Sequence, residues 1–208
     1  MTTLHDLARA ERTELAALLA TLAPEQWERP TLCEGWTVRH VVAHMFSYED
    51  LSLGGTIARL ARAGFRLSRA NEIGIAEHLE KTPQQLAAFA ADHPDPRGLP
   101  AMLGALPAFL DALIHQQDIR RPLGLPRDIP AERLERALPL CLKALPLPAR
   151  RNARGLRVRA TDVDVDFGDG PVVAGPAEPL LMALVGRHGV VAELSGDGQP
   201  ELASRIGA

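Results

Sequence analysis

The segment Asp111-Ala-Leu-Ile-His115-Gln-Gln-Asp118-Ile119 decides how the rest of the chain is interpreted. It lies in a long apolar run that predicts a helix from about Ala101 to Gly124. On a helix, its two aspartates and its histidine stack on one face, with neighbouring side chains roughly 5–6 Å apart. That face continues an apolar stripe, and ionisable groups are rarely buried without a partner or a metal. The segment therefore indicates either ligands for a divalent metal or an ordinary pair on a helix surface.

A second pair with helical spacing is His40 and His44. Thr37 is typical of a helix N-cap, and the helix that follows carries His44 at the edge of its apolar face. His40 falls in the first turn, where a helix end is usually wet. His44 is therefore the better candidate to face the interior, although either histidine is also explained as an exposed or capping residue.

Other periodic segments predict further helices over residues 4–22, 73–79, 83–91 and 131–145. The helix that starts at Thr37 is expected to run toward Leu67, with an interruption at Gly54 and Gly55. Helices joined by short connections are typical of a four-helix bundle, in which metal sites form between side chains on facing helices.

The pattern changes after residue 145. Residues 146–154 are rich in Pro and Arg and predict a linker. Strands are predicted over 155–160, 162–167 and 190–194, with a short helix over 177–185. We therefore expect a helical domain over 1–145 and a small α+β domain over 155–208, which is too short to bury much core alone.

Composition excludes several classes of protein. With 46% hydrophobic and 24% charged residues, the chain has the make-up of a soluble globular protein. Its net charge of -3 argues against nucleic acid and anionic membranes as partners. It shows neither a membrane span nor a signal peptide, so we expect a cytoplasmic protein. Cys33 and Cys141 are expected to be reduced, and no base is visible beside either thiol in the sequence.

Three segments coincide with one known family. They are Gly35-Trp-Thr-Val-Arg-His-Val-Val-Ala-His44, the Asp111 and His115 pair followed by Asp118-Ile119, and residues 175–187 with their closing Gly186-Arg187. Together they resemble the mycothiol-dependent maleylpyruvate isomerase family. The resemblance extends over nearly the whole chain. It implies a mainly α protein, a DinB-like four-helix bundle with a small C-terminal α+β domain.

The resemblance also implies a metal site. His44, Asp111 and His115 would bind one divalent metal, usually zinc in relatives. His40 is not chosen, because relatives usually have an acidic residue at its position. Asp111 stands where the better-studied isomerases have the longer Glu, and this chain is shorter than those isomerases.

The implied chemistry is that of an isomerase or S-transferase that activates a low-molecular-weight thiol, mycothiol, for addition to an electrophilic small molecule. Asp118 is expected to accept a hydrogen bond from a ligand imidazole, or else to pair with Arg121. Arg187 is expected to contact an anionic substrate or cofactor, or only to help end its helix.

The same residues are compatible with a second function and argue against a third. A non-catalytic metal-binding or small-molecule-binding protein on the same fold is the alternative. A DNA-binding regulator is disfavoured, because no basic helix is visible. The expected state is a monomer or a homodimer.

Overall fold

The structure is a computed structural model and describes residues 2–208. Helices form most of the chain. The chain divides into a first unit, Met1–Pro126, and a second unit, Arg127–Ala208. The helices of the first unit are α1 (Leu4–Leu19), α2 (Pro24–Trp27), α3 (Val38–Phe46), α4 (Leu53–Arg62), α5 (Leu67–His78), α6 (Pro83–Asp92), α7 (Gly98–Met102) and α8 (Leu106–Leu123). Among residues 2–208, no helix combines the length and the apolar character that a membrane crossing requires.

Helix α1 begins where its sequence offers a capping box. The Thr3 hydroxyl accepts a hydrogen bond from the Asp6 N–H at 3.1 Å, and the Asp6 carboxylate accepts one from the Thr3 N–H at 3.0 Å. The buried side of α1 includes Leu7, Leu15 and Leu18. The amphipathic helix predicted over 4–22 is therefore present and ends three residues earlier.

Helix α8 lies at the centre of the first unit. Apart from Asp111, every residue from 108 to 119 is buried. A helix that is buried on all sides must pack against several others, and α8 packs against α1, α3 and α7. It ends at Gly124, whose left-handed φ of 66° suits glycine and lets its N–H reach the Arg121 carbonyl. The single helix predicted from Ala101 is divided by a left-handed Ala105 into α7 and α8.

The core of the first unit joins residues from α1, α2, α3, α6 and α8. Its buried members are Leu15, Leu18, Leu19, Trp27, Val38, Val41, Val42, Phe46, Leu86, Ala90 and Ile119. The interruption predicted at Gly54 and Gly55 is wrong. The chain leaves the helix over residues 47–52, and both glycines lie in the first turn of α4, behind the Ser52 N-cap.

The second unit surrounds helix α11 (Ala177–Leu184). Its other helices are α9 (Ala131–Cys141), α10 (Ala149–Asn152), a 3-10 helix (His188–Glu193) and α12 (Gln199–Ile206). Strands β1 (Arg157–Ala160), β2 (Asp166–Phe167) and β3 (Val172–Gly175) form a small sheet in the order β2-β1-β3. β1 is antiparallel to β2 and parallel to β3, with Val158 opposite both Phe167 and Val173.

The second unit begins earlier than the sequence predicts. The helical domain was expected to extend to residue 145, whereas α9 packs on α11 within the second unit. The predicted linker contains α10, in which Ala149 and Asn152 are buried. The strand predicted over 190–194 is wrong, because this segment lies largely in the 3-10 helix. Strand β3 was not predicted.

Candidate metal and thiol site

Two histidines from different helices meet inside the first unit. His44 lies in the last turn of α3 and His115 in the middle of α8. Their ring centroids are 5.2 Å apart and their planes nearly perpendicular, at 88°. The Trp36 ring lies 5.1 Å from that of His44 and 6.4 Å from that of His115. The loop before α3 therefore places an aromatic ring beside both imidazoles.

His115 is held by a carboxylate of its own helix. Its Nδ1 lies 2.9 Å from Asp118 Oδ2, and Asp118 is fully buried. An ionised carboxylate only accepts hydrogen bonds, so the proton of this contact belongs to Nδ1. Nε2 is then the ring nitrogen of His115 that is left to bind another group. Metal-binding histidines are commonly oriented in this way.

Cys33 joins the same network. Its Sγ donates to Asp118 Oδ2 at 3.1 Å and lies 3.7 Å from His115 Nδ1. The loop carrying Cys33 is fixed to α8 by the backbone, because the Leu32 N–H donates to the Asp118 carbonyl at 3.1 Å. The sequence showed no base beside this thiol, whereas the fold brings His115 and Asp118 to it from more than eighty positions away.

The pKa values of the two imidazoles shift in opposite directions. Burial alone would lower the pKa of His115, but the hydrogen bonds with Asp118 and Cys33 outweigh it and raise the pKa to about 10. Burial, and then the charge of His115, lower the pKa of His44 to about 3. The same burial therefore acts on both rings, and the carboxylate of Asp118 makes the difference between them.

Asp111 lies one turn before His115 on α8. It is half-buried and lines a cleft together with Arg12, Met45, Phe46, Pro100 and Ala108. Burial raises the pKa of its carboxyl group, against the nearby positive charges of His115 and Arg12. The predicted set of His44, Asp111 and His115 thus lies on two adjoining helices, and its binding of a common ion stays a prediction.

The residues present suit a divalent metal. Cys33, His115 and Asp118 offer one ligand atom each, all within 4.8 Å of one another. His44 Nδ1 is buried and has no hydrogen-bond partner within the described part of the chain. A neutral imidazole with an unpartnered nitrogen is a poor core residue and a good ligand. Nitrogen, oxygen and sulfur donors together are the set that zinc accepts.

Two other residues that the sequence analysis singled out, His40 and Arg187, contact groups close to them in the chain. The His40 ring nitrogen lies 2.8 Å from the Thr37 hydroxyl at the start of α3, so His40 acts as a capping residue there. Arg187 follows α11 in the second unit, and its Nη1 donates to the Val185 carbonyl at 3.3 Å. That contact fits the expectation that Arg187 helps to end its helix, and a role in binding an anion stays a prediction.

Comparison with known proteins gives a family match and a structural match. The profile of the family described as the mycothiol maleylpyruvate isomerase N-terminal domain matches residues 8–125. Crystal structures of the mycothiol-dependent maleylpyruvate isomerase and of a histidine-to-alanine mutant are 20% and 19% identical to this chain. Each alignment covers 96% of this chain and 97% of the solved chain, with a TM-score of 0.60. No curated protein matches the sequence.

The structural match confirms the predicted fold class, a mainly α DinB-like bundle with a small C-terminal α+β domain.

Proposed function

We propose that this chain is a metal-dependent isomerase that uses a low-molecular-weight thiol, because the chain belongs to the mycothiol maleylpyruvate isomerase family. The observation that carries the proposal is the meeting of a half-buried His44 and a buried His115 from two helices, with ring centroids 5.2 Å apart. Mycothiol is the thiol that the family name indicates, and the substrate is an electrophilic small molecule of the maleylpyruvate type.

His44, Asp111 and His115 would hold the metal, for which zinc is the first candidate. Bound there, a divalent ion would favour the thiolate form of a thiol near neutral pH, and the thiolate is the nucleophile. This assignment uses the Nε2 atom of His115. The hydrogen bond from Nδ1 to Asp118 fixes the tautomer and supports that choice.

The other residues of the site would orient and shield the reactants. Cys33 donates to Asp118 and so holds the carboxylate that orients His115. The Trp36 ring lies beside both imidazoles and would limit the access of water. Arg187 remains a candidate in the second unit for binding an anionic group of substrate or thiol.

The reaction needs no other reagent. The thiolate sulfur would add to one carbon of a double bond conjugated with a carbonyl group, and the π electrons would move onto the carbonyl oxygen to give an enolate. The former double bond would then rotate as a single bond. Return of the electrons would break the carbon–sulfur bond and release the isomer together with the unchanged thiolate. If the enolate instead took up the proton that the thiol had lost, the adduct could be released and the same site would act as an S-transferase.

Metal analysis with a turnover assay tests the proposal. We expect the purified protein to hold one zinc ion and to isomerise maleylpyruvate only when mycothiol is present. His44→Ala, Asp111→Ala and His115→Ala should each remove most of the metal and lower turnover by about a hundredfold or more. His40→Ala is the matched control on α3, because its ring contacts Thr37, and it should keep both properties.

A separate experiment tests which side chains bind the metal. Cobalt(II) in place of zinc should show no intense sulfur-to-metal charge-transfer band before a thiol is added, because Cys33 is assigned to Asp118 and not to the metal. Such a band would instead assign the metal to Cys33, His115 and Asp118. Bound metal without consumption of mycothiol, glutathione or bacillithiol would favour a non-catalytic binding protein.

A further inference from the structure

Arg12 is a buried arginine in which two of the three guanidinium nitrogens have no hydrogen-bond partner. It lies on α1, is 3% exposed, and its Nη1 donates to Glu49 Oε1 at 2.9 Å. Its Nε and Nη2 are buried, and neither has a hydrogen-bond partner among residues 2–208. Buried polar groups are nearly always hydrogen-bonded, so two orphaned donors on one guanidinium call for a missing acceptor.

The guanidinium is held in place on its other sides. Glu49, which accepts from Nη1, is itself fixed by the Arg97 backbone N–H at 3.0 Å. The guanidinium carbon lies 4.7 Å from the centroid of the Phe46 ring, so one flat face is covered. A cation fixed in this way loses little conformational freedom when an acceptor arrives.

The two orphaned donors form one edge of the guanidinium. Nε–H and Nη2–H lie side by side and match the two oxygens of a carboxylate. The same chain shows this geometry elsewhere, because Arg157 donates from Nε and Nη2 to the two oxygens of Asp166 at 2.8 Å each. At Arg12 the equivalent edge has no carboxylate.

Arg12 lines a small cleft formed by residues of α1, α3, α7 and α8. The cleft also contains Asp111, a proposed ligand, and Met45, which follows His44 in α3. Its remaining walls, Phe46, Pro100 and Ala108, are apolar. Asp111 itself forms no hydrogen bond with the free edge of Arg12 in the described residues. An acid bound at this edge would therefore have Asp111, a proposed ligand, and an apolar wall beside it.

We infer that Arg12 binds the carboxylate of the reacting substrate through its Nε and Nη2 donors. The inference rests on the proposed function and names the residue that would bind the carboxylate of its acid substrate. The carboxylate would be anchored at Arg12, and the electrophilic carbon would point toward Asp111.

Equilibrium binding of maleate to the zinc-loaded protein tests the inference by calorimetry, without any thiol or turnover. Arg12→Lys keeps a cation for Glu49 but lacks the two-donor edge, so we expect it to bind maleate about ten- to a hundredfold more weakly. Arg9→Lys, an exposed arginine on the same helix, should bind like the wild type. Equal affinity of Arg12→Lys and wild type, or no binding of maleate to the wild type, would overturn the inference.

A second measurement needs no substitution. In nitrogen-15 spectra of the wild-type protein, the Arg12 Nε–H resonance should move on addition of maleate and saturate with the calorimetric affinity. An Nε–H resonance that stays in place at saturating maleate would count against Arg12 as the anchor, even if Arg12→Lys did not fold.

The turnover assay separates this inference from the proposed function. In an active enzyme, Arg12→Lys should raise KM for the acid substrate more than it lowers kcat. Maleate that binds through Arg12 in a protein without thiol-dependent turnover would leave the inference standing and remove the proposed function. Thiol-dependent turnover with an unchanged KM in Arg12→Lys would leave the proposed function standing and overturn the inference.

Discussion

The two units of the chain bury different kinds of side chain. Among the residues that the structure describes, eleven buried polar or charged side chains lie before residue 127, and Asn152 is the only one after it. The second unit instead buries an apolar run, Leu180 to Val185, which covers the C-terminal part of α11 and its last flanking residue. Buried polar groups cost free energy unless they are paired, so their concentration indicates that the first unit carries the chemistry. The family profile matches this same unit.

The largest effect is expected from a cavity in the second unit. Leu181 is fully buried in α11, so Leu181→Ala should lower the free energy of unfolding by about 2–5 kcal/mol. The measurement is urea unfolding, with metal content determined on the folded fraction. The comparison between units predicts that folded Leu181→Ala keeps its metal. Loss of metal from the folded variant would show that the second unit also supports the site.

A smaller effect is expected from Asp118→Asn in the first unit. The amide keeps the size of the side chain but lacks the charge that holds the His115 Nδ1 proton. We expect metal affinity to fall about ten- to a hundredfold, with a smaller loss of stability than in Leu181→Ala. Competition with a chelating dye measures the affinity.

Cys33→Ala is the control for that prediction. It removes only the thiol donor to Asp118 and should weaken metal binding less than Asp118→Asn does. A loss as large as that of Asp118→Asn would mean that Cys33 is itself a ligand.

The sequence predicts the elements that carry the site better than it predicts the site. Helices α1, α3 and α8 follow from apolar residues at intervals of three and four, because one side of each helix must face the core. The same spacing brings His44 and His115 to facing helices. That these residues bind a metal is still a prediction, because the pattern fixes a helix face and not the direction of each nitrogen.

The contacts that the sequence did not predict depend on long-range packing. Cys33 lies in an irregular loop, and nothing periodic in its neighbourhood indicates that Asp118 will accept its proton. The sequence does not predict the unpaired donors of Arg12 for the same reason. Phe46 and Glu49 contact Arg12 from another helix and from the loop after it. Helix α9 has an apolar face, but such a face does not identify its partner, and α11 is that partner. The apolar run over 190–194 is short enough to suit a strand or a helix.

The smallest effect is expected at Arg157, whose Nε and Nη2 donors are both paired with Asp166. The Arg157 and Asp166 side chains are exposed, and the hydrogen bonds from Arg157 lower the pKa of Asp166 below its usual value of 3.8. Because the folded-state pKa is depressed, the pair stabilises the protein above pH 3.8 and loses its effect as the pH falls through the folded-state pKa. Asp166→Asn should therefore lower the unfolding temperature slightly at neutral pH, and the difference from wild type should shrink in acid and in high salt. A large loss of unfolding temperature that changes with neither pH nor salt would contradict this prediction. It would mean that the exposed Arg157–Asp166 pair stabilises the protein as a buried pair does. The unpaired Nε and Nη2 donors of Arg12 would then not be a special feature of the first unit.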